Sequence, residues 1–146
     1  MSRDKSDEIT IRKVRSADFD ELFDLVQRFA SSFVPERPAF NESVQALLGR
    51  DDVWLAGAEA SGVLVGYCLG FEHLTFYASG RVAWVEEVMV AESFRRHGIG
   101  RALMREFEAW ARSRGSRLIG LATRRAAPFY EALGYEASAT YFRKVW

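Results

Sequence analysis

Residues 93–104 read SFRRHGIGRALM, a stretch that indicates a junction between a strand and a helix. Two glycines and three cationic side chains lie close together in it: Gly98, Gly100, Arg95, Arg96 and Arg101. The first N–H groups of a helix are unpaired and carry about half a positive charge, so phosphate is their natural ligand. The glycines admit a diphosphate to the backbone, and the arginines offer charge-assisted donors. The stretch therefore predicts a diphosphate site, with a tight turn and a solvated basic rim as the alternative.

The segments on either side of this turn have clear periodicities. RVAWVEEVMVAE (81–92) reads as a long strand. Behind the glycines, apolar residues fall at helical spacing and predict an amphipathic helix that Gly115 closes: Ile99, Leu103, Phe107, Trp110 and Ala111. SRLIGLAT then reads as a buried strand. A strand-helix-strand crossover is therefore expected at the centre of the fold.

The rest of the chain alternates between strands and helices. ITIRKV is a strand, and Ser16 opens an amphipathic helix that ends near Ser32. FVPERPAF (33–40) holds two of the three prolines and is expected to be a loop that breaks the chain before a second, short helix near residues 42–49. VWLAGAEA and GVLVGYCLGF form a hairpin, AAPFYEAL forms a helix, and EASATYFRKVW supplies one or two terminal strands. These elements predict a single α/β domain over residues 9–146, behind a flexible N-terminus of residues 1–8. The sheet should be mixed but mostly antiparallel, with about six to seven strands flanked by about four helices.

Composition excludes several functional classes. The 146 residues contain 20 Lys plus Arg and 20 Asp plus Glu, so no overall attraction to nucleic acid or an anionic membrane is expected. One cysteine, Cys68, sits in an apolar stretch and is expected in the core, and two distant histidines predict no metal site. The polar N-terminus and the lack of a long apolar run predict a soluble, cytoplasmic protein. A homodimer is left open.

Two common nucleotide motifs do not match the glycine-rich stretch. A P-loop needs Lys and then Ser or Thr after its last glycine, but Arg101 and Ala102 stand there. A dinucleotide-binding fingerprint needs a third glycine where Leu103 stands. ATP, GTP and NAD are therefore disfavoured.

RRHGIG fits another pattern, [QR]-x-x-G-x-[GA], and here the sequence resembles the GNAT superfamily of acetyl-CoA-dependent N-acetyltransferases. The resemblance runs from about Ile9 to the end. It rests on four segments in order, namely the hairpin VWLAGAEASGVLVGYCLGF, the strand VEEVMV, SFRRHGIGRALM and APFYEALGY. The resemblance implies the GNAT-like fold and acetyl-CoA as co-substrate.

The resemblance also implies which residues hold the co-substrate. The strand backbone would pair with the pantetheine arm, and the loop amides would hold the pyrophosphate. The positions that this assigns are Val88, Met89, Val90, Arg95, Arg96, His97, Gly98, Ile99, Gly100, Arg101 and Ala126. The sequence departs from the family pattern at Arg96, where many relatives carry glycine, and at Thr123, where asparagine is usual. The departure at Thr123 puts one polar contact to the cofactor arm in doubt.

The chemistry requires a base, because an alkylammonium with a pKa of about 10.4 is mostly protonated at neutral pH. Glu86 occupies the strand position where some small-amine acetyltransferases of the family carry a catalytic glutamate. Glu87 points to the opposite face of a regular strand, although a bulge would exchange the two roles. Tyr130 matches the position of the family's general acid. The alternatives are exposed glutamates that pair with arginines, and a tyrosine that only packs.

The acceptor is expected to be a small-molecule amine or a peptide amino group. By position, the acceptor groove is expected to use Phe33, Glu36, Arg37, Phe40, Glu72, His73, Trp84 and Glu87. His97, in the phosphate loop, and His73 are poor candidates for the base. Two non-enzymatic functions remain open, namely an acetyl-CoA-binding module without activity and a pure interaction domain.

Overall fold

The computed structural model describes residues 8–30 and 32–146. The predicted flexible segment 1–8 lies outside this part, apart from Glu8. In chain order the elements are β1 (Ile9–Lys13), α1 (Phe19–Phe29), α2 (Arg37–Leu48), β2 (Val53–Ala60), β3 (Val63–Thr75), β4 (Gly80–Val90), α3 (Ile99–Ser113), β5 (Ile119–Leu121) and α4 (Ala127–Ala132). Short 3-10 turns precede α1 and α3.

The sheet contains five strands in the order β1-β2-β3-β4-β5. The first four are antiparallel neighbours, and β5 runs parallel to β4 after the crossover through α3. The predicted hairpin between β2 and β3 turns at Ser61 and Gly62, whose φ angles of 51° and 80° fit a two-residue turn with two left-handed residues. The α/β class and the mixed, mostly antiparallel sheet are confirmed.

Each face of the sheet has its own apolar core. On one face, α3 buries Leu103, Met104 and Phe107 completely against small strand residues. Phe107 lies where a side chain at position 70 would be, so Gly70 makes room for its ring. On the other face, α1 and α2 bury Leu22 and further apolar residues. The sheet is therefore the middle layer of three.

Cys68 belongs to the core on the α3 face, as the sequence predicts. The side chain is fully buried, and burial raises the pKa of its thiol to about 12. The thiol is therefore protonated and unreactive at neutral pH.

The second helix begins earlier than the sequence predicts. It starts at Arg37 instead of near residue 42, so half of the expected loop FVPERPAF is helical. Pro38 is compatible with this start because the first turn of a helix needs no N–H from it.

The predicted terminal strands are not observed. Residues 136–146 are exposed and belong to no helix or strand, so the described sheet has five strands instead of six or seven. The residues of this segment have strand propensity, but a strand forms only when its backbone pairs with the edge of another strand.

None of the helices in the described part of the chain is long and apolar enough to cross a membrane.

Candidate functional site

One edge of β4 is open at its carboxyl end. The parallel pairing with β5 covers Ala83 to Val85 only. From Glu86 to Val90, the described strands neighbour β4 only on the β3 side. The unpaired edge offers backbone N–H and C=O groups to an extended ligand. It contains the three positions expected to bind the pantetheine arm.

The loop after β4 presents a cluster of backbone amides. Arg96 and Gly98 have left-handed φ angles of 67° and 79°, and such alternation directs successive N–H groups into a concave site for an anion. The N–H of Ala102 donates to the carbonyl of Gly98 over 3.0 Å. Across residues 8–30 and 32–146, no backbone hydrogen bond starts from an N–H of residues 96–101.

Neither glycine of the loop has a side chain that could obstruct the amides or contact α4. A Cβ at Gly98 would project into open space, and one at Gly100 would lie 3.2 Å from the ring of Phe129. The side chains of Arg95, Arg96 and Arg101 are exposed around the loop. Arg95 Nε also donates to the carbonyl of Val90 over 3.1 Å, which ties the loop to the open edge. The geometry fits a pyrophosphate.

Two other positions expected near the co-substrate have local structural roles. The N–H of Ala126, at the start of α4, donates to Thr123 Oγ1 over 3.0 Å. His97 Nδ1 lies 3.2 Å from the carbonyl oxygen of Phe94. Thr123, the departure from the family pattern, therefore supports the turn that leads into α4.

A β-bulge in β4 determines the directions of the adjacent side chains of Glu86 and Glu87. Leu69 pairs with Glu87 and Gly70 pairs with Val85, so Glu86 is the extra residue. Glu86 is exposed and accepts a hydrogen bond of 2.9 Å from the indole N–H of Trp84. Glu87 is half-buried and lies on the face that α1 and α2 cover.

Glu87 lies in an apolar cavity between the sheet and the first two helices. The cavity has a volume of about 100 Å³. It is lined by Leu22, Val26, Phe40, Ser43, Val44, Leu47, Leu55, Tyr67, Leu69 and Glu87. The hydroxyl of Tyr67 donates a 2.8 Å hydrogen bond to Glu87. We call this space the Glu87 cavity.

The cavity changes the acidity of its carboxyl group. Burial raises the pKa of Glu87, and the charge of Glu86 adds to the effect, whereas the Tyr67 hydrogen bond opposes it. Burial and the carboxylate raise the pKa of Tyr67 well above its usual range, so this phenol stays protonated. A carboxylate with a raised pKa is a stronger base than an exposed one.

Tyr130 approaches β4 from the opposite face. Its ring packs between Phe129 and Tyr135, at centroid distances of 4.9 and 5.9 Å, against the core on the α3 side. Tyr135 is held in turn by a 2.8 Å hydrogen bond to Glu108. Burial, more than the nearby thiol of Cys68, raises the pKa of Tyr130. Glu87 and Tyr130 therefore flank the open edge of β4 from its two faces.

Of the eight expected acceptor residues, the structure brings Phe40 and Glu87 together in the cavity wall. Arg37 lies close by, with its guanidinium 5.9 Å from the ring centre of Phe40 and a 2.6 Å ion pair to Asp20. Phe33 and Glu36 are exposed in the connection before α2.

The structure does not bring Glu72 or His73 to the cavity. The Glu72 side chain is completely buried in a cluster with Arg81 and Arg114 at N–O distances of 3.1 and 2.5 Å. His73 is exposed on the long β3–β4 hairpin. Trp84, the remaining expected residue, is engaged with Glu86. No group of three His, Cys, Asp or Glu within the described residues could hold a metal ion.

Sequence reasoning missed Tyr67 and most of the apolar lining. Tyr67 is 2 % exposed, and its position in an apolar strand gives it the appearance of an ordinary core residue. The signal that could have identified it is its hydroxyl, because a buried phenol needs a polar partner.

Comparison with known proteins agrees with this geometry. The family model described as the Acetyltransferase (GNAT) family matches residues 19–135. An uncharacterized N-acetyltransferase of Methanocaldococcus jannaschii is 27% identical over 136 residues, which cover 87% of this chain and 60% of that protein. N-alpha-acetyltransferase 80 of Mus musculus is 48% identical over 52 residues, which cover 36% of this chain and 17% of the relative.

A solved structure shares the fold. The aminoglycoside N-acetyltransferase AAC(6')-Iy, in complex with CoA, superimposes with a TM-score of 0.82 at 21% identity, over 94% of this chain and 95% of that chain. The chain spans less than two thirds of the length of both curated relatives described above. Since the family model covers most of the described residues, the chain belongs to the Acetyltransferase (GNAT) family.

Proposed function

We propose that this protein is an N-acetyltransferase that moves an acetyl group from acetyl-CoA to a primary amine by direct attack. One observation carries the proposal: a half-buried carboxylate and a phenol flank an open strand edge that leads into a loop of free amides. The names of the relatives and the CoA complex of a structural neighbour support it.

In this proposal the loop and the strand edge hold the co-substrate. The amides of residues 96–101 bind the pyrophosphate, and the exposed arginines around them neutralise its charge. The backbone of Val88 to Val90 pairs with the extended pantetheine arm as an added strand. Binding through backbone groups would bring the thioester to the open edge of β4, with Glu87 on one face of the strand and Tyr130 on the other.

We propose Glu87, in preference to Glu86, as the general base. Glu87 lies inside the cavity with a raised pKa, whereas Glu86 is exposed and bonded to Trp84. An ammonium that enters the cavity gives one proton to Glu87, directly or through a water molecule. Glu86 then contributes negative charge next to the base.

Tyr130 serves as the general acid in this mechanism. The neutral amine attacks the thioester carbon, the C–N bond forms and the C–S bond breaks. Tyr130 donates its proton to the departing sulfur, and the second proton of the ammonium, lost from the nitrogen after attack, replaces it. Glu87 releases the first proton to solvent, so the enzyme returns to its starting state. The phenolic oxygen of Tyr130 has no hydrogen-bond partner within the described residues, so its proton is available.

Thiol release tests the proposal. We expect CoA to appear when acetyl-CoA and a primary amine are mixed with the protein, and much less with the Glu87→Gln variant. The matched Glu86→Gln variant loses the adjacent carboxylate and should retain activity. Cofactor binding by calorimetry without thiol release from any amine would indicate a non-catalytic module, and no binding at all would indicate an interaction domain.

A further inference from the structure

We infer that the acceptor is a primary amine with an apolar, uncharged side chain, and that this side chain occupies the Glu87 cavity. The inference rests on the proposed function and names its substrate class. Polyamines and aminoglycosides also present an amino group, but the inference predicts that they are poor acceptors and that apolar amines are good ones.

The lining of the cavity carries the inference. Seven of its ten residues are Leu, Val or Phe, and the polar ones are Ser43, Tyr67 and Glu87. The hydroxyl of Tyr67 already donates to Glu87. The cavity therefore offers a monoamine one carboxylate for its ammonium and apolar contacts for its side chain.

A second ammonium would have no partner in this cavity. Glu87 is the only acidic residue of the lining, and a charge moved from water into an apolar space without a partner is strongly disfavoured. The nearest cation on α2, Arg37, is already paired with Asp20 and covers Phe40 at the cavity wall.

The size of the cavity agrees with its chemistry. The cavity volume of about 100 Å³ is below the usual range for small-molecule sites. The cavity therefore suits one small apolar side chain, whereas a substrate with several sugar rings does not fit. The free amine and the amino terminus of a peptide with an apolar first residue share this chemistry.

Two amines of equal chain length test the inference. Pentylamine and 1,5-diaminopentane differ only in the second ammonium at the far end. We expect kcat/KM for pentylamine to exceed that for 1,5-diaminopentane by about 10²-fold or more, because a pocket rejects a group that it leaves unpaired far more strongly than one methylene. Peptides that begin with Leu or Lys, used as a second pair, distinguish a free amine from a peptide terminus.

A charge added to the lining should shift the preference. Ser43 is an exposed residue of the cavity mouth, so Ser43→Asp introduces a second carboxylate without burying it. We expect this variant to raise the ratio of kcat/KM for 1,5-diaminopentane to kcat/KM for pentylamine by about tenfold. Gln45→Asp is the matched control, because it adds the same charge on an exposed position of α2 outside the lining.

The outcomes separate this inference from the proposed function. Equal or better turnover of the diamine by the unmodified protein, or the same response from Ser43→Asp and Gln45→Asp, overturns the inference and leaves the acetyltransferase proposal intact. NMR shifts of the Val44 and Leu47 methyl groups report binding without turnover. Selective binding of pentylamine with no acetylation of any amine overturns the proposed function instead, and supports the inferred pocket chemistry.

Discussion

The amide loop at residues 96–101 and the Glu87 cavity lie on either side of the same strand but are built differently. The loop is one continuous segment, it is largely exposed, and it offers backbone groups. The cavity takes side chains from two helices and three strands, and its walls are largely buried. Local backbone geometry is enough to form the amide loop, whereas the cavity requires the whole fold. Substitutions should therefore affect the two regions through different kinetic constants.

The largest effect is expected at Glu87. Glu87→Gln preserves shape and an acceptor for the Tyr67 hydroxyl but removes the carboxylate that we propose as the base, so kcat should fall by about 10²-fold or more. In the unmodified protein, kcat/KM should decrease as the pH falls through the raised pKa of Glu87, because only the carboxylate accepts a proton. The variant should lack this acidic limb. A pH profile unchanged in shape and height would remove Glu87 from the mechanism.

The loop should respond through affinity instead. Gly98→Val places a branched side chain at a φ of 79°, in the open space in front of the amides, and should weaken acetyl-CoA binding by about tenfold or more. Calorimetry measures the loss. Gly115→Val is the control, since Gly115 has a φ of 86° and open space at the other end of α3. Equal losses in both variants would mean that backbone strain, and not the site, is responsible.

Tyr130→Phe should have an intermediate effect. Removal of the hydroxyl keeps the ring packing of α4 but leaves the departing sulfur without its donor, so kcat should drop by about tenfold. The affinity for acetyl-CoA should change little. Tyr135→Phe, which loses only the hydrogen bond to Glu108, is the comparison variant for single-turnover kinetics. If Tyr130→Phe weakens binding and leaves the saturated rate unchanged, its role is packing.

The smallest effect is expected at the bulge residue. Glu86→Gln changes an exposed side chain whose only described hydrogen bond is to Trp84, so kcat should change by about threefold or less. The loss of a neighbouring negative charge should also lower the pKa of Glu87 and move the acidic limb of the pH profile to lower pH. A loss as large as that of Glu87→Gln would reverse the assignment of the two glutamates.

The periodic elements of the fold could be predicted from the sequence because their signals are local. The β2–β3 hairpin, the long β4 and the helix after the glycines all appear where alternation or helical spacing predicts them. The early start of α2 at Arg37 was missed because the prolines were read as a break, although Pro38 suits a first turn. The prediction of terminal strands was wrong because strand propensity does not provide a neighbouring strand to pair with.

The candidate site also contains residues that the sequence predicts and residues that it does not. The loop residues Gly98 and Gly100 could be identified because their motif is continuous. Glu72 was expected in the acceptor groove, but tertiary packing buries it between Arg81 and Arg114. No sequence pattern shows which arginines will surround a carboxylate from distant elements.

The α/β class, the crossover and the amide-rich loop follow from the sequence alone, because each depends on residues that are neighbours along the chain. Which of the two adjacent glutamates faces a cavity depends instead on tertiary packing. One extra residue in β4 changes the alternation of side chains, and the bulge depends on how β4 pairs with β3. The acidity of Glu87 follows from burial beneath α1 and α2 and from the hydroxyl of Tyr67, twenty residues away in sequence.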